Sequence, residues 1–141
     1  MIQRIQTLWL LLAAACGFAM TKVPMFAANL SNNLLRELIA TESLLLFALV
    51  IGLSCLALVC IFLFKKRPLQ FRLAVTGIIL SLGTIALEVY TINDFKASNA
   101  MISGTYQWGA LFPILMAFFF FLAARGIRKD QKLVKSLDRL R

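Results

Sequence analysis

One acid inside a long apolar stretch is the first residue in this chain with chemistry to offer. Glu88 is the sole carboxylate in the run from about Phe71 to Thr91. An acid at membrane depth is a candidate proton- or cation-binding group. Gly77, Ser81, Thr84, Glu88 and Thr91 follow one another at helical steps of four, three, four and three, so a helix gathers them into one small, polar stripe. Glu88 falls about 16 Å beyond Gly77 along such a helix, near the end of the apolar run and not at its middle. No second carboxylate lies deep in another run. The stripe is therefore expected to face neighbouring helices, with Glu88 reaching headgroups or pairing with Lys22 or Gln107. A proton- or cation-coupled carboxylate is the alternative.

Other reactive groups are sparse. There is no histidine, and the remaining carboxylates are scattered through connections and the tail, so no acid–base pair suggests itself. Cys16, Cys55 and Cys60 sit inside apolar runs without metal-ligand or redox spacing and read as small hydrophobes. No phosphate-binding glycine loop, nucleophile elbow or convincing internal repeat is present. The residues call for no catalytic group, metal or cofactor, and the chain is not expected to be an enzyme.

The elements that carry these residues follow from hydropathy. Of 141 residues 61% are hydrophobic and 15% charged, with a mean hydropathy of +0.86, more apolar surface than one small soluble core can hide. The apolar residues come in uninterrupted runs, and a run of roughly 20 spans the hydrocarbon of a bilayer as a helix. Four are expected, at about 5–26, 43–64, 71–91 and 107–124, giving an all-α, integral membrane four-helix bundle over 1–124 and a basic tail over 125–141. Pro113 could kink the fourth span. The small pairs Ala13/Gly17, Ala48/Gly52 and Gly77/Ser81 are candidate close-packing points between helices.

Basic residues orient the spans. Arg4, Lys65, Lys66, Arg67, Arg72, Arg125, Arg128, Lys129, Lys132, Lys135, Arg139 and Arg141, twelve of fifteen, fall on one side. With Asp130 and Asp138 that side carries +10; Lys22, Arg36 and Lys96 against Glu37, Glu42, Glu88 and Asp94 leave −1 on the other. The positive-inside rule then puts both termini in the cytoplasm. A net charge of +9 so partitioned points to topology and anionic headgroups, not to direct nucleic-acid binding.

Ala13-Ala14-Ala15-Cys16 approaches a lipoprotein cleavage box, but Ala13 replaces the usual large aliphatic residue and the basic region is a lone Arg4, so retention as a span is expected. Between the first two spans, residues 34–39 suggest a short interfacial helix capped by Ser31 or Asn32, and Asn29-Leu30-Ser31 is a formal glycosylation triplet of little weight. Residues 92–105 read as a polar connection, with Tyr90, Tyr106 and Trp108 near the outer interface. In the tail, Ile127, Leu133, Val134, Leu137 and Leu140 recur at helical spacing among the cations, an amphipathic helix that either continues the fourth span or lies along the membrane.

The opening Met1–Thr7 with Leu10–Ala14, the middle Phe64–Leu73 and the close Ala124–Arg141 resemble a family of small four-helix membrane proteins of Bacteroidota known only as a domain of unknown function. The likeness covers the whole chain and is most specific in the closing segment. It implies a bacterial inner membrane and a shared interaction on the cytoplasmic face, and it carries over no catalytic residue. The expected function is a non-enzymatic accessory or structural subunit. It would contact a larger membrane complex, or an RNA-containing cytoplasmic partner, through Lys65, Lys66, Arg67, Arg72 and the tail. A small transporter or proton-coupled channel centred on Glu88 is the alternative.

Overall fold

The computed structural model describes residues 2–30, 34–64, 66–99 and 101–138. Four helices, α1 (Ile2–Met20), α2 (Leu44–Phe62), α3 (Arg67–Ser98) and α4 (Phe112–Asp138), account for most of them. α1 packs on α2 and α4, and α3 packs on the same two, so the helices close in the order α1–α2–α3–α4. α2, α3 and α4 are long and apolar enough to cross a membrane, whereas the apolar part of α1, Ile5–Met20, is shorter. At 1.5 Å per residue α3 is about 48 Å long and α4 about 40 Å, both longer than the roughly 30 Å of hydrocarbon.

The chain is not all-α. Three strands, β1 (Phe26–Leu30), β2 (Leu35–Leu38) and β3 (Met101–Tyr106), form an antiparallel sheet in the order β2–β1–β3. β1 and β2 come from the α1–α2 connection and β3 from the α3–α4 connection. Phe26 faces both Leu38 and Tyr106 across the ladder, and a bulge follows at Asn29/Leu30. The sheet thus stitches two distant connections over one end of the helices. Gln107 N–H donates to the Met25 carbonyl (2.9 Å) and Gly109 N–H to that of Pro24 (3.0 Å), extending the seam. Gly109 must be glycine, because a Cβ there would run into the Pro24 carbonyl. A buried backbone group that leaves a helix needs a partner, and cross-connection pairing supplies it.

Several expected boundaries shift for that reason. The first helix ends at Met20 and Phe26 already lies in β1, so the span does not run to residue 26. Residues 35–38 pair with β1 as a strand where a short helix was expected; Ser31 and Asn32 lie outside the described residues. The polar connection after residue 91 is instead two further turns of α3 followed by β3. Asn29 of the glycosylation triplet lies in β1, its side-chain amide donating to Ser103 Oγ (3.2 Å). α4 starts at Phe112 after a short 3₁₀ turn, Trp108–Leu111, so Pro113 sits in its first turn, where the missing N–H costs nothing, and kinks no span. Of the two arrangements expected for the tail, the structure has the continuous one: α4 runs unbroken through residue 124 to Asp138.

Three packed regions hold the fold, the smallest being Ala74 of α3 with Ala124 and Ile127 of α4. Under the sheet, Phe26 is fully buried with Met20, Met25, Leu46, Val50 and Ile92. Its ring meets Phe95 and Tyr106 edge-on, at centroid distances of 6.3 and 5.4 Å. Between the helices, Leu10, Leu53, Cys60, Met116 and Phe120 pack with Ala13, Ala57 and Ala123, while Trp9 stacks on Phe119 at 5.9 Å. Outward faces stay apolar: Leu44 is 84% exposed, Phe62 77% and Ile79 62%, an exterior suited to lipid and not to water.

Candidate functional site: a basic groove and a buried acid

The end opposite the sheet gathers cations. Lys66 and Arg67 lie at the α2–α3 turn, Arg72 one turn into α3, and Arg125, Arg128, Lys129 and Lys132 along one side of α4; all are exposed except the half-buried Arg67. Lys65, Arg139 and Arg141 lie outside the described residues, as does the side chain of Lys135. None of the seven described cations has a salt bridge among the described residues; the ion pair there is Arg36–Glu42 (3.7 Å), at the sheet end.

Two buried amides fix this end. Gln6 Nε2 of α1 donates to Asp130 Oδ2 of α4 at 2.8 Å, and Gln70 Nε2 of α3 donates to the Cys60 carbonyl of α2 at 2.9 Å. Each ties a helix to a neighbour where the helices leave the apolar region. Between α3 and α4 lies a groove of about 640 Å³. Its walls are Phe71, Val75 and Ile78 from α3 with Phe121 and Ala124 from α4. Arg125, Arg128, Lys129 and Lys132 line its length toward the end of α4, and no acid lines it among the described residues. Spacing alone marked these cations as one helical face. The groove needed the α3–α4 contact to appear.

Glu88 is placed differently from the expectation. Gly77, Ser81, Thr84 and Glu88 are all buried and Thr91 is half-buried, so the stripe faces inward. The three hydroxyls donate to their own helix, Ser81 to Ile78, Thr84 to Leu80 and Thr91 to Leu87, at 2.8–2.9 Å. Glu88 is 4% exposed and its buried Oε1 has no hydrogen-bond partner among the described residues. It neither reaches out to headgroups nor pairs with Lys22 or Gln107; Lys22 is exposed and the Gln107 amide lies 3.4 Å from Thr105 Oγ1. Its helix position turns it inward, away from both.

The sheet end holds groups that sequence spacing did not single out. Lys96 Nζ sits 4.9 Å from the ring centroids of both Phe26 and Tyr106, and the Arg36 guanidinium lies 5.4 Å over Phe95. These cations are spent on aromatic faces, a stabilising contact of about 0.5–2 kcal/mol each. Of the three small-residue pairs, Ala13/Gly17 and Gly77/Ser81 are buried, while Ala48 and Gly52 are exposed, with open space beside Gly52. That pair joins no helices among the described residues.

A family model described as a domain of unknown function, DUF4293, matches residues 2–140. The chain belongs to this family. No curated protein and no solved structure matches it. The DUF4293 match takes in every described helix and strand, with the groove and Glu88. The DUF4293 description names no activity, and the functional reading rests on the residues themselves.

Proposed function

We propose that this DUF4293 protein is a four-span bundle of the bacterial inner membrane, with both termini in the cytoplasm. In this reading it is a non-enzymatic accessory subunit that contacts a larger membrane complex through its basic end. One observation carries the reading: α4 continues as an unbroken helix past the apolar segment and holds Arg125, Arg128, Lys129 and Lys132 in a row with no ion-pair partner among the described residues. Exposed cations at a cytoplasmic boundary suit an acidic surface on a partner, at about 1 kcal/mol per residue where the counter-charge is lipid. The apolar exterior supports the embedding, and the unequal charge of the two ends supports the orientation. Protein extracted from native membranes in mild detergent should co-purify with a reproducible partner. Changing Lys129, Lys132 and Lys135 to glutamine should release it at lower salt. A lone species under every detergent and salt condition overturns the proposal.

A second reading is favoured by the unpartnered Glu88 Oε1. Leaving a charged oxygen buried and unpaired costs several kcal/mol, which a bound proton or cation would offset. A small transporter or proton-coupled channel assembled from several copies would use Glu88 in that way. Purified protein in sealed vesicles should then show a proton or cation flux that Glu88→Gln abolishes. A flux that survives the substitution, or none at all, removes this reading.

A further inference from the structure

The α3–α4 groove has a polarity gradient along its length. Its deep part is walled by Val75 and Ile78 of α3 and by Phe121 of α4, and its outer part is edged by the α4 cations. From Phe121 to Arg128 is two helical turns, about 10 Å, and to Lys132 about 16 Å. An apolar slot that opens within that distance onto several positive charges, with no acid among its described lining residues, is complementary to an anionic amphiphile aligned with the helices. We propose that the groove binds one acidic phospholipid of the cytoplasmic leaflet. An acyl chain lies against Val75, Ile78 and Phe121, and the headgroup phosphate sits among Arg125, Arg128 and Lys132. The inference rests on the proposed function for the bilayer and the cytoplasmic placement of this end and draws on the same α4 cations, but it requires no protein partner.

Charge at the membrane surface would attract acidic lipid without a site, and the other cations provide the comparison. Lys66, Arg67 and Arg72 carry equal charge at the same end but do not line the groove. Full-length protein in detergent is titrated with phosphatidylglycerol or phosphatidylcholine and followed by native mass spectrometry. One phosphatidylglycerol should bind per chain ahead of any phosphatidylcholine. Changing Arg125, Arg128 and Lys132 to glutamine, all at exposed positions, should weaken it at least about tenfold, while the same change at Lys66, Arg67 and Arg72 should shift it by less than about twofold. Ile78→Trp, which fills the slot and leaves every charge in place, should also lose the lipid yet keep any co-purifying protein. Equal binding of the two lipids, equal loss in both charge triples, or unchanged binding in a folded Ile78→Trp variant overturns the site. Should Ile78→Trp fail to fold, the two charge triples decide it.

Discussion

Replacing Gly77 with leucine is expected to separate α3 from α4 and lower the melting point of the detergent-solubilised protein more than any exposed substitution on the same helix. Gly77 is pressed against the ring of Phe120: a Cβ built there lies 2.6 Å from Cδ1 and Cε1 and 3.0 Å from Cγ. Phe120 is fully buried among Leu10, Leu53 and Met116, so the ring has nowhere to swing. Overpacking of this kind costs about 1–3 kcal/mol in soluble cores, and more where the neighbour cannot yield. Between helices in lipid, close van der Waals contact is the main attraction, so a gap opened at Gly77 also forfeits contacts at the seam around Ala74, Ala124 and Ile127. Gly52→Leu is the control. It places the same side chain on α2 with nothing within 4 Å of its Cβ, and should change stability by no more than about 0.5 kcal/mol. Equal losses in the two variants would mean that glycine serves some general need of these helices and not this contact.

The contrast between those two glycines marks how far the sequence could be read. Helices over the second, third and fourth apolar runs and the crowding of cations at one end were legible, because run length and the positions of the charges can be read from composition alone. Small residues four apart mark a close-packing face but not whether another helix of the same chain meets it, so Ala48/Gly52 read the same as Gly77/Ser81. The sheet was hidden because its central pairing joins Phe26 to Tyr106 across most of the chain, and its strands are too short to show alternation. Leu34 to Ile39 has apolar residues at helical spacing, yet Leu35–Leu38 is drawn into an extended form by β1. Tertiary pairing overrode local pattern there. Glu88 was legible as a member of a stripe. That its Oε1 has no hydrogen-bond partner among the described residues was not, since that depends on where Lys22 and the Gln107 side chain end up. Likewise, the cations on α4 were visible as a row, but the apolar slot beside them exists only once Val75 and Ile78 of α3 are set against Phe121.

The orientation of that row depends on the pairing of Gln6 with Asp130, and breaking it should be costly in a way that breaking both halves is not. Gln6 is 5% exposed and Asp130 8%, and their 2.8 Å hydrogen bond joins the first turns of α1 to α4 beyond its apolar segment. Gly126 makes room for it, since a Cβ there would lie 2.8 Å from Gln6 Cγ. Asp130→Leu leaves the Gln6 amide buried without an acceptor, at about 1–3 kcal/mol. Gln6→Leu leaves a buried acid without its donor, a larger penalty if the group is charged. The double leucine variant removes both polar groups and should recover most of the loss, because two apolar side chains meeting in an apolar seam are nearly neutral relative to a satisfied pair. Thermal melts of the four proteins in one detergent give the coupling directly, and a value above about 1 kcal/mol is expected. Strictly additive losses would show that the two side chains do not act as a pair. In that case the azimuth of α4, and with it the direction in which Arg125, Arg128 and Lys132 face, would have to be set by Ile127 and the alanine seam alone.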